Sequence, residues 1–224
     1  EFRRVLFRSN RMIKYALLFI LTLNVAQANI QATYRNGLLI NPSTNQPYTG
    51  NLETINNDWG KDSIEFSQEY VNGAMHGADK VFYKSGKLKT VGYFENGLLE
   101  GTTKIYFEDG SLMGSVDFKK HQKHGRGVRF YPNGVKQLER FFVNDKLEGV
   151  SKTWYDSGVL MLEENYKNGM LHGTLKNYYE DGGIFEVIKY NYGTPKTMII
   201  YHEDGSIADK KGFLNKKIID SIIG

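Results

Sequence analysis

Residues 165–173 read Asn165-Tyr-Lys-Asn-Gly169-Met-Leu-His-Gly173, and close copies of this segment recur along the chain. Residues 69–77 and 93–101 repeat its aromatic residue, its first glycine and its second glycine four positions later. A period of about 20 to 50 residues marks a tandem repeat, whose units bury their apolar faces by stacking on one another. Two glycine columns keep a step of 24 residues: Gly77, Gly101, Gly125, Gly149, Gly173, and nine positions later Gly86, Gly110, Gly134, Gly158, Gly182.

Aromatic residues fill the segments between these glycines. Runs of aromatic and β-branched residues are separated by turn sequences such as Glu-Asp-Gly-Ser and Pro-Asn-Gly-Val, which indicates strands joined by tight turns. Asn-Gly and Asp-Gly suit the positive φ angles of hairpin turns. The aromatic pairs are Phe82-Tyr83, Tyr106-Phe107, Phe130-Tyr131, Trp154-Tyr155 and Tyr178-Tyr179, and a further column contains Tyr70, Phe94, Phe118, Phe142, Tyr166 and Tyr190.

The pattern predicts an all-β fold in which each 24-residue unit is one β-hairpin and the stacked hairpins form a single elongated antiparallel meander. Strands about 4.8 Å apart, about a dozen in number, would make a sheet too wide to remain flat and open. We therefore expect the sheet to be coiled or curved.

These columns resemble the MORN (membrane occupation and recognition nexus) repeat, in the shorter bacterial variant found in proteins often labelled antitoxin components. The family's pattern of an aromatic residue, Gly and His-Gly is met by Tyr166, Gly169 and His172-Gly173. His121 and Asp145 replace its first glycine in the third and fourth units, and Glu100 and Glu148 replace its histidine in alternate units. The resemblance covers about residues 66–206 and implies a scaffold, lipid-associated or antitoxin-like protein.

The chain ends predict processing and capping. Residues 1–11 are interpreted as upstream sequence or a cloning remnant, and residues 12–28 as a secretory signal peptide with small residues before the cleavage point. A buried N-terminal helix is the alternative. Residues 29–68 are expected to form a degenerate capping repeat, residues 69–206 the array, and residues 207–224 a C-terminal cap. Within that cap Leu214, Ile218, Ile219 and Ile222 have helical spacing and predict a short helix over the last sheet edge, with a membrane-surface role as the alternative.

Composition excludes several classes of function. Removal of residues 1–28 takes away five basic residues and one acidic residue and leaves 24 of each, so the mature chain is formally neutral. A neutral chain lacks the charge that non-specific nucleic-acid binding requires. The absence of cysteine excludes disulfides and a lipoprotein anchor. No Gly-x-Ser-x-Gly elbow or phosphate-binding loop is present, and the sequence predicts neither an enzyme nor a bound cofactor.

The histidine column, His76, His124 and His172, raises the question of a metal site. Equivalent residues in adjacent units should lie about 10 Å apart, whereas zinc ligands lie about 2 Å from one ion. We therefore expect no metal, and expect each His or Glu of the column to hydrogen-bond the backbone of its corner. The glycine columns and these histidines are interpreted as structural repeat residues.

The aromatic rows carry the remaining functional prediction. If one row is exposed it forms an extended surface suited to protein, glycan or lipid partners, and Tyr131, Trp154 and Tyr155 are the first candidates for contact. The alternative is that both rows pack within the sheet. The leading hypothesis is a non-enzymatic, exported repeat scaffold that binds a protein or glycan at the bacterial envelope or surface. One alternative is phospholipid attachment through the repeats or the C-terminal helix, which the family name and four lysines suggest: Lys210, Lys211, Lys216 and Lys217. The other is an antitoxin role, against which export argues.

Overall fold

The computed structural model describes residues 33–212. Every regular element within that range is a β-strand, and none of its segments is a helix long and apolar enough to span a bilayer. The predicted signal peptide and the helix expected from Leu214 to Ile222 lie outside the described residues.

Nineteen strands form two sheets in the described range. The first sheet has three strands: β1 Thr33–Arg35, β2 Leu38–Asn41 and β3 Gln46–Pro47. The second has sixteen: β4 Gly50–Ile55, β5 Ile64–Val71, β6 Ala74–Phe82, β7 Leu88–Glu95, β8 Leu98–Tyr106, β9 Leu112–Lys119, β10 Gln122–Phe130, β11 Lys136–Val143, β12 Lys146–Leu147, β13 Gly149–Trp154, β14 Leu160–Lys167, β15 Met170–Leu171, β16 Gly173–Tyr178, β17 Ile184–Asn191, β18 Thr194–Tyr201 and β19 Ile207–Gly212.

The large sheet follows the order of the sequence, and every neighbouring pair of strands is antiparallel. The short strands β12 and β15 extend the hairpins at β11 and β14. The predicted all-β antiparallel meander is therefore confirmed. Residues 207–212, which the sequence assigned to the C-terminal cap, form the edge strand β19, in which every residue is exposed.

The two edges of the sheet carry different glycine-bearing turns, and the turn at the hairpin edge accounts for the second glycine column. At one edge of the sheet, the corner edge, two-residue turns such as Asn168-Gly169 have positive φ at both positions, as a type I′ turn requires. At the opposite edge, the hairpin edge, the turn that begins at Tyr155 ends with Gly158 at φ 89°, and Gly158 N donates to Tyr155 O at 3.0 Å. A residue in this left-handed region is almost free of strain only if it is glycine.

Each aromatic residue of the single column lies across from a glycine on the neighbouring strand. Gly125 is opposite Phe142, and Gly149 is opposite Tyr166. The ring can lie over a residue that has no side chain, as for Gly127, where an added Cβ would come within 3.0 Å of Phe142. We call this side of the sheet the aromatic face, defined by Tyr70, Phe94, Phe118, Phe142, Tyr166 and Tyr190.

The opposite side carries a continuous row of directly paired residues, because side chains alternate along each strand. We call it the charged face. Four consecutive members of the row alternate in sign, since Glu139 pairs with Lys152, Lys152 with Glu163, and Glu163 with Lys176. The row contains Ser67, Lys80, Val91, Lys104, Ser115, Val128, Glu139, Lys152, Glu163, Lys176, Val187, Ile199 and Lys210.

The most deeply buried cluster lies where the small sheet packs on the start of the large one. Leu39, Leu52 and Tyr70 are all buried there. The Tyr34 and Tyr70 hydroxyls lie 2.8 Å apart, and Leu39 N donates to Gly73 O at 2.8 Å. These contacts cover the beginning of the array, while its later units rely on neighbour-to-neighbour contacts.

Candidate functional site

The hairpin edge is fastened by a series of tyrosine hydroxyls. The second aromatic residue of one unit donates to the backbone carbonyl of the first aromatic residue of the next. The bonds are Tyr83 to Tyr106 at 2.7 Å, Tyr131 to Trp154 at 2.9 Å, Tyr155 to Tyr178 at 2.9 Å and Tyr179 to Tyr201 at 3.0 Å.

The predicted contact residues Tyr131, Trp154 and Tyr155 belong to this series. All three are half-buried, and the two hydroxyls are already engaged with the backbone. The Lys136 ammonium lies 5.0 Å from the centre of the Trp154 ring. These aromatic groups therefore have a structural task, and only part of each side chain is open to a partner.

The His and Glu column acts on the corner edge. Each member reaches the turn of the following unit: Asn96 N donates to His76 Nδ1 at 3.4 Å, Lys120 N to Glu100 at 3.0 Å and Asn168 N to Glu148 at 2.7 Å, while His124 Nδ1 lies 3.2 Å from the Asn144 amide oxygen. The column residues bond separate turns and do not converge. Within residues 33–212 no group of three or more metal-binding side chains lies close enough to hold an ion.

His172 differs from the rest of its column. Its ring centre lies 4.4 Å from that of Tyr192, and the Lys167 ammonium lies 5.9 Å from the same tyrosine ring. Its Nδ1 atom is buried and has no hydrogen-bond partner among the described residues. The backbone bond expected of this column is therefore made by His76, Glu100 and Glu148. His124 contacts a side-chain oxygen instead, and His172 Nδ1 makes no hydrogen bond to the described residues.

Two residues replace the first glycine of the corner and retain its backbone conformation. His121 and Asp145 both have φ 67°. Their side chains add a bond that glycine cannot make, because Leu99 N donates to His121 Nδ1 at 3.3 Å and Lys123 N donates to the Asp145 carboxylate at 3.0 Å. The replacements therefore strain the backbone but satisfy one additional amide each.

A groove lies at the corner edge where β11, β13 and β14 meet. Its smaller part is on the charged face, and its larger part reaches round the edge to Phe142 and Tyr166 of the aromatic face. It consists of a cavity of about 530 Å³ and an adjoining one of about 290 Å³, which share Phe141. Phe141 is 43% exposed and Val150 is 38% exposed, so large apolar side chains stand open to solvent. The larger cavity is also lined by His124, Val143, Glu148, Lys167 and His172, and the smaller one by Glu139, Lys152 and Glu163.

Ion pairs neutralise the end of the groove nearer the hairpin edge. Glu139 bonds both Arg126 and Lys136, and Lys152 lies 3.2 Å from Glu163. Burial alone would raise the pKa of Glu139, but the hydrogen bonds from Arg126 and Lys136 lower it below its usual value. The carboxylate therefore stays ionised beside exposed apolar groups.

The aromatic face carries a polar chain whose centre, Ser151 and Glu164, is buried. Ser151 is 1% exposed and lies 3.3 Å from both Arg140 and Glu164. Burial, together with the neighbouring Glu164 carboxylate, raises the pKa of Tyr166 to about 12, and Tyr166 donates to Glu164 at 2.9 Å. A buried serine held between an arginine and a glutamate is a structural group.

Sequence reasoning missed the groove. Phe141 lies in a column whose chemistry changes from unit to unit: Glu69, Tyr93, Asp117, Phe141, Asn165, Lys189. A column whose residue type varies is the signal in the sequence that could have indicated a binding surface. The glycine and aromatic columns beside it stay constant for structural reasons.

Comparison with protein families matches the MORN repeat variant at residues 75–96, 99–120, 147–168 and 171–192, and the MORN repeat at residues 117–136. A search of curated proteins finds no match.

Proposed function

We propose that this chain, which is a MORN-repeat protein, is a non-enzymatic exported scaffold that binds another macromolecule at the bacterial envelope or surface. MORN repeats generally mediate binding to proteins or to membrane lipids. The observation that carries the proposal is the groove around Phe141, where exposed apolar side chains border paired charges of both signs.

A protein partner fits this surface better than a phospholipid surface does. An apolar centre with a polar rim is the usual anatomy of a protein interface. Binding to anionic phospholipid draws on an excess of lysine and arginine, whereas Glu139 and Glu163 are each matched here by a cation. Lys211, one of the lysines that suggested lipid attachment, lies 3.3 Å from Asp209.

The test is affinity capture with the full chain as bait, from envelope and host-surface extracts. A bait carrying Phe141→Ser and Val150→Ser should lose its specific partner. Tyr93→Ser is the matched control, because Tyr93 occupies the same repeat column and is 51% exposed but does not line the groove. Equal capture by all three baits would contradict the proposal.

Export and the second candidate surface need separate measurements. Cell fractionation with N-terminal sequencing should find a mature chain that begins after residue 28, outside the cytoplasm. A cytosolic chain with its leader intact would instead support the antitoxin alternative. Capture with a Trp154→Phe bait tests whether the surface formed by Tyr131, Trp154 and Tyr155 contributes to partner binding. If this variant alone loses the partner, the binding site lies at the hairpin edge and not at the groove.

A further inference from the structure

We propose that Asn36 is a site of spontaneous deamidation, at which solvent water converts the side-chain amide into a carboxylate. Asn36 and Gly37 form the turn between β1 and β2, so the modification falls on the small sheet that covers the start of the array. The proposal goes beyond partner binding and does not depend on it.

The reaction uses the glycine that follows the asparagine. The backbone nitrogen of Gly37 attacks the side-chain carbonyl carbon of Asn36, a cyclic succinimide forms, and ammonia leaves with the former amide proton. Water then opens the ring at either of its carbonyl groups. Opening at one carbonyl gives aspartate. Opening at the other gives isoaspartate, in which the main chain runs through the former side chain.

The corner turns of this chain offer the same reaction at several places. The Asn-Gly pairs begin at Asn36, Asn72, Asn96, Asn133 and Asn168. All of these except Asn133 lie in two-residue turns of nearly one conformation, with asparagine φ angles of 49° to 53° and glycine φ angles of 78° to 81°. None of the four asparagine side chains in these turns forms a hydrogen bond within residues 33–212. Turn conformation and side-chain bonding therefore do not distinguish the four sites.

The hydrogen bond of the attacking nitrogen distinguishes Asn36. In the three later turns the glycine nitrogen donates to a backbone carbonyl earlier in the chain. The bonds are Gly73 to Tyr48 at 2.7 Å, Gly97 to Met75 at 2.7 Å and Gly169 to Leu147 at 2.8 Å. The Gly37 nitrogen makes no hydrogen bond to any of the described residues. Because a donating nitrogen must break its bond before it attacks, the later turns are protected and the first is open.

Asn168 is the matched comparison for Asn36. Both asparagines are exposed, and so are the glycines that follow them. A Cβ added at Gly37 would meet no atom within 4 Å, and one added at Gly169 would meet only the Lys146 side chain, at 3.7 Å. Solvent access and crowding are therefore similar, and the bond of the glycine nitrogen is the main difference between the two turns.

Asn133 is protected in another way, in a turn of the hairpin edge. Gly134 N donates to Tyr131 O at 2.9 Å. The Asn133 side chain accepts a hydrogen bond from Val135 N and donates one to Asp156 O, each at 3.0 Å. Both reacting groups of this pair are therefore engaged.

Isoaspartate at residue 36 should loosen the contact between the two sheets. Arg35 pairs with Leu38 across the turn, and the Tyr34 hydroxyl lies 2.8 Å from that of Tyr70. Isoaspartate adds a main-chain carbon between residues 36 and 37, and a two-residue turn has no room for it without a change of register. The Tyr34 contact should be lost, and the buried Leu39 should become more exposed.

The experiment incubates the full chain at mildly alkaline pH in heavy-oxygen water and follows each Asn-Gly peptide by mass spectrometry. Each new carboxylate takes up one heavy oxygen atom, which separates deamidation during the incubation from earlier damage. Asn36 should react at least about fivefold faster than Asn168, the factor that corresponds to one backbone hydrogen bond. Equal rates at Asn36 and Asn168 would overturn the proposal.

The same measurement in urea is the control. Glycine follows all five asparagines, so their rates should become similar once the chain is unfolded. If Asn36 keeps the same advantage in urea, local sequence causes it and the structural explanation is wrong.

The products test the effect on the small sheet. Ion exchange separates the isoaspartate form, which should unfold at a lower temperature than the parent. Asn36→Asp reproduces the aspartate product without the extra main-chain carbon and should unfold near the parent. An isoaspartate form as stable as the parent would contradict the predicted loss of the Tyr34 contact.

Discussion

The Tyr155 hydroxyl donates to the backbone carbonyl of Tyr178 at 2.9 Å, 23 residues further along the chain. Tyr131 makes the same bond to Trp154 one unit earlier. A side chain of one hairpin is thereby fastened to the main chain of the next, which couples adjacent units in a protein whose repeats contact mainly their neighbours.

Phe107 occupies the same position in the second unit and has no hydroxyl. Phe107→Tyr should supply the missing bond to the carbonyl of Phe130 and raise the free energy of unfolding by about 1 kcal/mol. Urea unfolding measures the change. Tyr155→Phe is the reciprocal variant and should lose a similar amount. A Phe107→Tyr protein no more stable than the parent would show that the tyrosine ring cannot reach the next hairpin there.

Lys120 has φ 50° at a corner position where four other turns carry asparagine. Asparagine tolerates the left-handed region better than lysine does. Lys120→Asn should therefore stabilise the chain by roughly 0.5 to 1 kcal/mol, measured by urea unfolding. The Lys120 N–H bond to Glu100 involves only the backbone of residue 120 and should survive. Asn96→Lys is the mirror test and should destabilise.

Gly127 lies beneath the Phe142 ring, and an added Cβ would come within 3.0 Å of it. Gly127→Ala should lower the free energy of unfolding by about 1 to 3 kcal/mol through overpacking. If the clash with the ring is the cause, Phe142→Leu should cost less in the Gly127→Ala background than in the parent. Strictly additive effects of the two changes would rule that cause out.

Asp79 gives a prediction for pH. Burial raises the pKa of this carboxyl, against the lowering effect of a 2.9 Å hydrogen bond from Gln68. The folded chain therefore binds a proton more tightly than the unfolded chain. This contribution to stability is fully present below the unfolded-state pKa and is lost as the pH rises through the raised one.

In Asp79→Asn the loss of stability with rising pH should be absent. The free energy of unfolding at neutral pH should therefore be higher than in the parent, and it should fall less between acid and neutral pH. Asp109 is the control, because its effect on stability should depend on pH in the opposite direction. Hydrogen bonds from Ser111 lower its pKa, so its contribution to stability is lost as the pH falls. Thermal unfolding from pH 3 to pH 7 compares the variants. A steeper profile in Asp79→Asn would contradict the assignment.

The repeat, the hairpin and the antiparallel order of the strands could all be predicted without a structure. These follow from local chemistry, because Asn168-Gly169 and Asp181-Gly182 specify turns and the intervening aromatic runs specify strands. The matches to MORN repeats confirm the family resemblance. The assignment of His172 to a structural column did not anticipate that its Nδ1 atom has no hydrogen-bond partner within residues 33–212.

Which side chains remain free could not be predicted in the same way and follows from the folded arrangement. Tyr131 and Phe141 are both aromatic residues in strand segments or next to them, yet Tyr131 is bonded to the following hairpin and Phe141 is open to solvent. The difference depends on the neighbours of each side chain, because the Tyr131 hydroxyl meets the Trp154 carbonyl whereas Phe141 lies opposite Arg126. The cross-strand register sets these neighbours, and a periodic sequence does not show it.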